Sequence, residues 1–361
     1  MEAVAPVKLT KRTLRKLVTD TAGSAEAVNL RYVTDTEPGI GRKRQGAQFT
    51  YYNGAHKVTD EPTLARIRSL VIPPAWEDVW ICNDEAGHLQ ATGVDVRGRK
   101  QYKYHPLWSQ LRSHTKFFNL HGLGKSLPAI RERLHADLSL TGLPRQQVLA
   151  LVVSIILETG IRIGSGAYEK LYGSFGLSTL KDRHVTINGS EVRFLFKGKK
   201  GVYQDLTLRS RRLATLIKKC RDIPGKELFQ YYDADGHHYV IDSGEVNEYI
   251  KAISGGHFTA KDFRTWTGTV QALIAFQELG CAATATETKQ RIIAALDAVS
   301  AQLGNTRAVC KKYYVHPAVL SLYECQALEK YLREMEAAPV PKDARALQPA
   351  EQVLMKILEK A

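Results

Sequence analysis

The hydrophobic pattern changes period at His105-Pro106, and a chain with such a change must build two different kinds of layer. From Leu30 to about Tyr104 the apolar residues come in short β-type runs bounded by turn residues. Gln48-Phe-Thr-Tyr-Tyr52 precedes an Asn53-Gly54 turn, and Asp78-Val-Trp-Ile-Cys82 precedes Asn83-Asp84. One helix, Glu61 to Leu70, interrupts them and ends before Pro73-Pro74. Beyond Pro106 helical spacing takes over. Arg145 to Glu158 is almost uniformly apolar and stops at Gly160, a residue suited to the left-handed position after a helix, so a buried helix is expected there. Val185 to Leu208 alternates again, with a hairpin signal at Asn188-Gly189 and a second turn at Gly198-Lys-Lys-Gly201, which predicts a small three-stranded sheet inside a helical domain. Phe263, Trp266, Val270, Leu273 and Gln277 mark one amphipathic helix, Ile292, Leu296, Val299 and Leu303 another, and a third follows Pro317.

These patterns predict an α+β fold. A basic N-terminal segment (1–28, with Lys8, Lys11, Arg12, Arg15 and Lys16) precedes a small mainly-β domain at 29–106. A larger mainly-α domain with a hairpin sheet follows at 107–335, and a charged, Pro-containing linker with an amphipathic tail closes the chain at 336–361. At 361 residues the chain is too long for one ordinary core, and 44% hydrophobic content marks it as globular.

Charge narrows the partners. There are 51 Lys and Arg against 37 Asp and Glu, a formal net charge of +14, which points toward a polyanion and first of all nucleic acid. The five cysteines (Cys82, Cys220, Cys281, Cys310, Cys325) are scattered without a CxxC pair, so reduced thiols in a cytosol are expected. His and Cys never fall at zinc-site intervals, and His237 and His238 point to opposite faces if they lie in a strand, so no metal is expected. No signal peptide is read at the N-terminus, and no apolar run approaches the roughly 18 residues of a membrane span.

The residue types with phosphate chemistry lie in the helical half. Cutting a DNA strand while keeping the phosphodiester energy requires a side-chain nucleophile that retains the phosphate. It also requires guanidinium groups on the non-bridging oxygens and an acid for the departing 5′ oxygen. Arg162 in Thr159-Gly-Ile-Arg-Ile163, Lys199 in the Gly198–Gly201 turn, Arg264, Asn305 and Tyr314 supply those types. Taken singly, each has a structural explanation. Arg162 can pair with Glu158 or Glu169, Lys199 can be a solvated turn lysine, and Arg264 can cap or pair beside Asp262. Asn305 can be a turn or N-cap residue after Gly304, and Tyr314 is one of 16 tyrosines.

Their order and surroundings decide. Phe196-Lys-Gly-Lys199, Thr259-Ala-Lys-Asp-Phe-Arg-Thr-Trp266 and Leu303-Gly-Asn-Thr-Arg-Ala-Val-Cys-Lys-Lys-Tyr-Tyr-Val-His-Pro317 resemble segments of type IB DNA topoisomerases, in the small poxvirus-like and bacterial branch. Ile72-Pro-Pro-Ala-Trp76, Gly87-His-Leu-Gln-Ala-Thr92 and Gly98-Arg-Lys-Gln-Tyr-Lys-Tyr-His-Pro106 resemble the same branch, so the likeness runs from about Leu30 to about Tyr331. The resemblance implies a nucleophile at Tyr314, immediately before Val-His-Pro, with Tyr313 as the decoy. It implies phosphate-clamping arginines at Arg162 and Arg264 and a general acid at Lys199, with Lys200 beside it. Nine residues before the tyrosine, poxviral and nuclear enzymes carry a histidine; here Asn305 stands there, as in bacterial members. An amide still donates a hydrogen bond but carries no charge, so a weaker, less pH-dependent clamp is expected.

In the first domain, Gln101-Tyr-Lys-Tyr104 matches base- and backbone-contacting residues of the poxviral enzyme. Arg99, Lys100, Arg42-Lys-Arg44, Lys200 and Lys261 are further DNA-contact candidates. A solvated edge strand is the alternative for 101–104. The family implies a two-domain clamp hinged near His105-Pro106, acting on supercoiled duplex DNA without ATP, cofactor or metal, monomeric, in the cytoplasm at the nucleoid. The chain has no GxxxxGK[ST] loop and no paired-acid metal cluster. Two alternatives compete: a tyrosine recombinase, which typically places His where Lys261 stands before Arg264, and an inactive DNA-clamping protein.

Overall fold

Alternation and turn chemistry between Gly39 and Tyr104 build one antiparallel sheet. Its strands are β1 (Gly39–Gln45), β2 (Gln48–Asn53), β3 (His56–Lys57), β4 (Glu77–Cys82), β5 (Leu89–Val94) and β6 (Lys100–Tyr104), in the order β3-β2-β1-β4-β5-β6. This computed structural model describes residues 21–361 apart from Ala47, Arg97, Lys116 and His257. The basic segment read at 1–28 therefore lies outside the described residues up to position 20; helix α1 (Thr21–Glu26) follows it. Helix α2 (Glu61–Ser69) starts as its sequence dictates, with the Asp60 carboxylate accepting from Thr63 N–H at 3.0 Å and Pro in its first turn. Its Ile67 packs with Ile40, Val79, Ile81 and Ala91 on one face of the sheet.

The chain divides into two units between Phe118 and Asn119, one helix beyond the expected hinge. The reason is packing. Helix α3 (Pro106–Thr115) buries Trp108 and Leu111 with Ala25, Val28 and Leu30, which makes it part of the first unit.

The second unit is mainly helical. Its helices are α4 (Asn119–Leu138), α5 (Arg145–Thr159), α6 (Gly166–Tyr172), α7 (Arg211–Arg221), α8 (Ser243–Ser254), α9 (Ala260–Leu279) and α10 (Ala285–Leu303). Four more follow Leu303: α11 (Arg307–Tyr313), α12 (Pro317–Glu324), α13 (Glu329–Ala337) and α14 (Pro349–Lys360). The uniformly apolar stretch is α5, fully buried from Val148 to Val153 and ended by Gly160 with a left-handed φ of 69°. Three strands, β7 (Val185–Asn188), β8 (Glu191–Lys197) and β9 (Tyr203–Arg209), form the expected small sheet. Asn188 pairs with Glu191 across the Asn-Gly turn, and Lys197 with Tyr203 across the Gly198–Gly201 turn. Their inner face contributes Val192, Phe194, Phe196 and Leu208 to the main core. A separate hairpin, β10 (Gln230–Tyr232) with β11 (His238–Val240), lies between α7 and α8.

The C-terminal residues are not an appendage. Ala350, Val353, Leu354, Ile357 and Leu358 of α14 are buried in the same core, and Glu351 receives Arg131 and Trp266. Among the described residues, no helix is long and apolar enough to cross a membrane. All five cysteines are free.

Candidate active site

The cluster is assembled on one face of α9 and one helix end. Arg264 sits in the second turn of α9, whose start is fixed by a capping box: the Asp262 carboxylate accepts from the Thr259 N–H and hydroxyl, both at 2.8 Å. Asp262 is thus committed to the cap, and Arg264 has no carboxylate partner among the described residues. Along the same face Thr265, Gly268 and Thr269 form a groove for the chain around the tyrosines. Thr269 Oγ1 donates to the Tyr314 carbonyl at 3.2 Å and accepts from the His316 N–H at 3.1 Å. A Cβ on Gly268 would lie 2.7 Å from the Tyr314 carbonyl oxygen and 3.2 Å from its Cβ, so only glycine allows this approach. The Val-His-Pro motif has its own structural work. Val315 is buried, His316 caps α12 through Nδ1 (3.2 Å from Ala318 N–H), and Pro317 opens that helix. Burial depresses the His316 pKa to about 4, which keeps the ring neutral and its Nδ1 an acceptor.

Arg162 comes from the extended stretch after Gly160. Ile161 and Ile163 are buried on either side of it, and its carbonyl accepts from the Leu177 N–H at 2.9 Å, which braces the backbone. Its guanidinium meets the Asn305 side-chain oxygen and, at 3.5 Å, the Gly304 carbonyl. Neither carboxylate weighed as its partner takes it: Glu169 pairs with Lys181 at 2.8 Å, and Glu158 senses Arg131. Arg264 in turn donates to the Leu303 carbonyl at 3.0 Å, and Asn305 Nδ2 reaches the same oxygen at 3.3 Å. The two guanidiniums are therefore held at the C-terminal end of α10, where unpaired carbonyls and the helix dipole favour cations.

Electrostatics mark this cluster as an anion site. Arg264 is only 4% exposed, and its Nε has no hydrogen-bond partner among the described residues. Burial and the neighbouring charge of Arg162 lower its pKa to about 10. Two adjacent, partly dehydrated cations without a carboxylate are unfavourable until an anion arrives. The Arg264 guanidinium lies 5.0 Å from the centre of the Tyr314 ring. Burial pushes the Tyr314 hydroxyl up, but the charges of Arg264, Arg162 and Lys261 outweigh it, and its pKa falls below the ordinary 10. Tyr313, by contrast, is exposed and carries Lys312 over its ring at 5.4 Å.

The comparisons with known proteins show the family. Residues 106–338 match the family described as eukaryotic DNA topoisomerase I, catalytic core, and residues 48–95 match the bacterial DNA topoisomerase IB N-terminal domain. The chain is 32% identical over 295 residues to DNA topoisomerase 1B of Acanthamoeba polyphaga mimivirus, covering 79% of this chain and 88% of that one. This chain belongs to the type IB DNA topoisomerases. It is accordingly an isomerase that acts on DNA. The vaccinia virus (strain Copenhagen) type IB topoisomerase is 24% identical over 289 residues, covering 77% of this chain and 88% of its own. A XerH site-specific recombinase structure aligns at a TM-score of only 0.33 and 15% identity over 56% of this chain and 50% of its own, too loose to bear on the fold.

The remaining candidates of this type IB topoisomerase fall into three groups. Lys199 stands exposed at the head of the hairpin turn, next to Lys200, whose left-handed φ of 63° is unusual for a side chain. Lys261 is exposed on α9 one turn before Arg264, which places it on the Tyr314 side. The third group is in the first unit, away from this cluster in sequence. There β6 is an edge strand: Lys100, Tyr102 and Tyr104 alternate onto its exposed face, with the two tyrosine rings stacked at 6.0 Å, while Gln101 and Lys103 are half-buried. Gln101 donates to Asp95 at 2.9 Å, Arg99 pairs with the same carboxylate at 2.5 Å, and Lys100 pairs with Asp35 at 2.5 Å. Lys43 and Arg44 are exposed on β1 over Tyr52 and Phe49. Arg42 is employed differently: its guanidinium is half-buried and donates to the carbonyls of Ile72, Pro73 and Trp76, fastening the loop before β4.

One acidic group went unnoticed in the sequence. Asp233, Asp235 and His237 hold ligand-type atoms within 4.8 Å of one another. Asp233 is occupied as a turn acceptor for the backbone N–H groups of Asp235 (3.0 Å) and His237 (2.8 Å), which accounts for the arrangement.

Proposed function

We propose that the chain relaxes supercoiled duplex DNA through a transient nick in which Tyr314 holds the 3′ end. The Tyr314 oxygen attacks a backbone phosphorus, the phenolic proton leaves to solvent, and the bond to the 5′ oxygen breaks as Lys199, aided by Arg162, donates a proton to it. Arg162, Arg264 and the Asn305 amide hold the non-bridging oxygens as charge builds on them. The free strand rotates about the intact one, and the 5′ hydroxyl then displaces the tyrosine, returning the proton to Lys199. One phosphodiester is exchanged for another of similar energy, so neither ATP nor a metal is required. The exposed cations and stacked tyrosines of β1 and β6 carry the duplex through phosphate and base-edge contacts. The enzyme works as a monomer in the cytoplasm, on the nucleoid.

The observation that carries this reading is the pairing of an acidified, partly buried tyrosine with one buried and one half-buried guanidinium, neither of which has a carboxylate partner among the described residues. The decisive experiment is relaxation of supercoiled plasmid in chelator without ATP, followed by denaturation and a search for protein linked to a 3′ end. Tyr314→Phe is expected to abolish both relaxation and adduct while retaining duplex binding, and Tyr313→Phe to keep both. Relaxation by Tyr314→Phe refutes the nucleophile.

A further inference from the structure

Strand β9 places Gln204 where its alternation calls for an apolar side chain. Phe196, Leu206 and Leu208 surround its register position on the inner face, yet Gln204 is 4% exposed. Among the described residues its amide nitrogen reaches the adjacent Tyr203 carbonyl, at 3.3 Å, a long bond for a buried group. Stability alone would favour leucine or methionine here, so the position is explained by what the side chain touches.

It touches two glycines. A Cβ on Gly198 would lie 3.2 Å from Gln204 Cγ, and a Cβ on Gly304 would overlap the Gln204 amide. Gly198 is the residue before Lys199, and its N–H and carbonyl close the hairpin turn with Val202 at 2.8 Å and Gly201 at 3.1 Å. Gly304, in left-handed conformation at φ 57°, is the residue before Asn305, and its carbonyl faces Arg162. The side chain of Gln204 therefore separates the backbone that bears the lysine from the backbone that bears the amide and receives the arginine.

We infer that Gln204 is a positioning residue: wedged between Gly198 and Gly304, it sets the distance from the Lys199 turn to the Arg162–Asn305 arm. It rests on the proposed reaction and adds to it a determinant of how well the acid is placed. Because Gln204 acts through bulk, a methionine of equal length is a working substitute, whereas alanine lets the turn settle toward Gly304. Displacement of an acid by even an ångström costs on the order of ten- to a hundred-fold in rate.

The test is single-turnover cleavage of a duplex carrying either oxygen or sulfur at the 5′ bridging position of the cut. A thiolate leaves without a proton, so its departure does not depend on Lys199. Gln204→Ala is expected to slow the oxygen substrate about ten-fold or more and to cut the sulfur substrate near the parent rate, while Gln204→Met restores the oxygen rate. Equal slowing of both substrates means that Gln204 only supports the fold, and an unchanged oxygen rate means that it positions nothing; either overturns the inference. Should Gln204→Ala fail to fold, Gln204→Asn, one methylene shorter, is read by the same oxygen-to-sulfur ratio. Lys199→Ala is run alongside. Without sulfur rescue there, the acid assignment itself falls and takes this inference with it; with rescue there but no oxygen-specific loss at Gln204, the inference alone falls.

Discussion

Replacing Arg264 by Gln tests the electrostatic core of the site. The change removes the positive charge nearest to Tyr314 and leaves a shorter, neutral polar side chain in its place. With the guanidinium carbon 5.0 Å from the ring centre, a unit charge acts on a phenolate with an energy on the order of 3 kcal/mol at an effective dielectric constant of about 20. Tyr314 is partly exposed, so water screens some of this, and a rise of its pKa is the expected outcome. The sign is unambiguous: burial already disfavours the phenolate, and the arginine is the principal force opposing burial. The assay is a pH titration of the protein without DNA, with tyrosines labelled at Cζ and the Tyr314 resonance assigned from Tyr314→Phe. In the parent, Tyr314 is expected to titrate below the ordinary 10. A Tyr314 midpoint that does not rise in Arg264→Gln refutes the claim that the guanidinium acidifies it.

Two further perturbations probe the supports of the site. Gly268→Ala forces a Cβ to within 2.7 Å of the Tyr314 carbonyl oxygen and 3.0 Å of Leu303 Cδ1; it is expected to cost about 1–3 kcal/mol in denaturant unfolding and to reduce adduct formation. A variant as stable and active as the parent would show that the tyrosine segment has room to shift. Glu351→Ala leaves Arg131 without its partner (2.7 and 3.0 Å) and Trp266 Nε1 without its acceptor (2.9 Å), at an expected cost of about 3–5 kcal/mol. Burial raises the Glu351 pKa, yet Arg131 and Trp266 carry it below 4.5, so its contribution is full above about that pH and fades as pH falls through the lower folded value. Stability measured against pH should lose that acidic component in Glu351→Ala, and an identical acid limb in both proteins contradicts the assignment.

Much of this architecture was legible before any coordinates. Period-2 runs with Asn-Gly turns marked the strands, the apolar run to Gly160 marked α5, and three- and four-residue steps marked α9 and α10, because burial on one face imposes those intervals on any sequence. The site was legible as a set of residue types in family order. Its supports were not. Thr265, Gly268 and Thr269 were hidden inside an amphipathic helix, where their only trace is a small, polar break in the apolar stripe at helical spacing. Arg42 looked like a phosphate contact because a cation in a basic run carries no sign of the carbonyls that its loop will present.

Local sequence determines local structure and chemical capacity: which segments become helix or strand, where they end, and which side chains can clamp a phosphate or attack it. Distances between residues far apart in the chain belong to tertiary packing. That Arg162 finds Asn305 rather than Glu158 or Glu169, that Tyr314 is acidified while Tyr313 faces solvent, and that Gln204 stands between two glycines all follow from how α9, α10 and the hairpin sheet close on one core. Pairwise charge and steric energies depend on separations of a few ångströms, and no sequence interval specifies those.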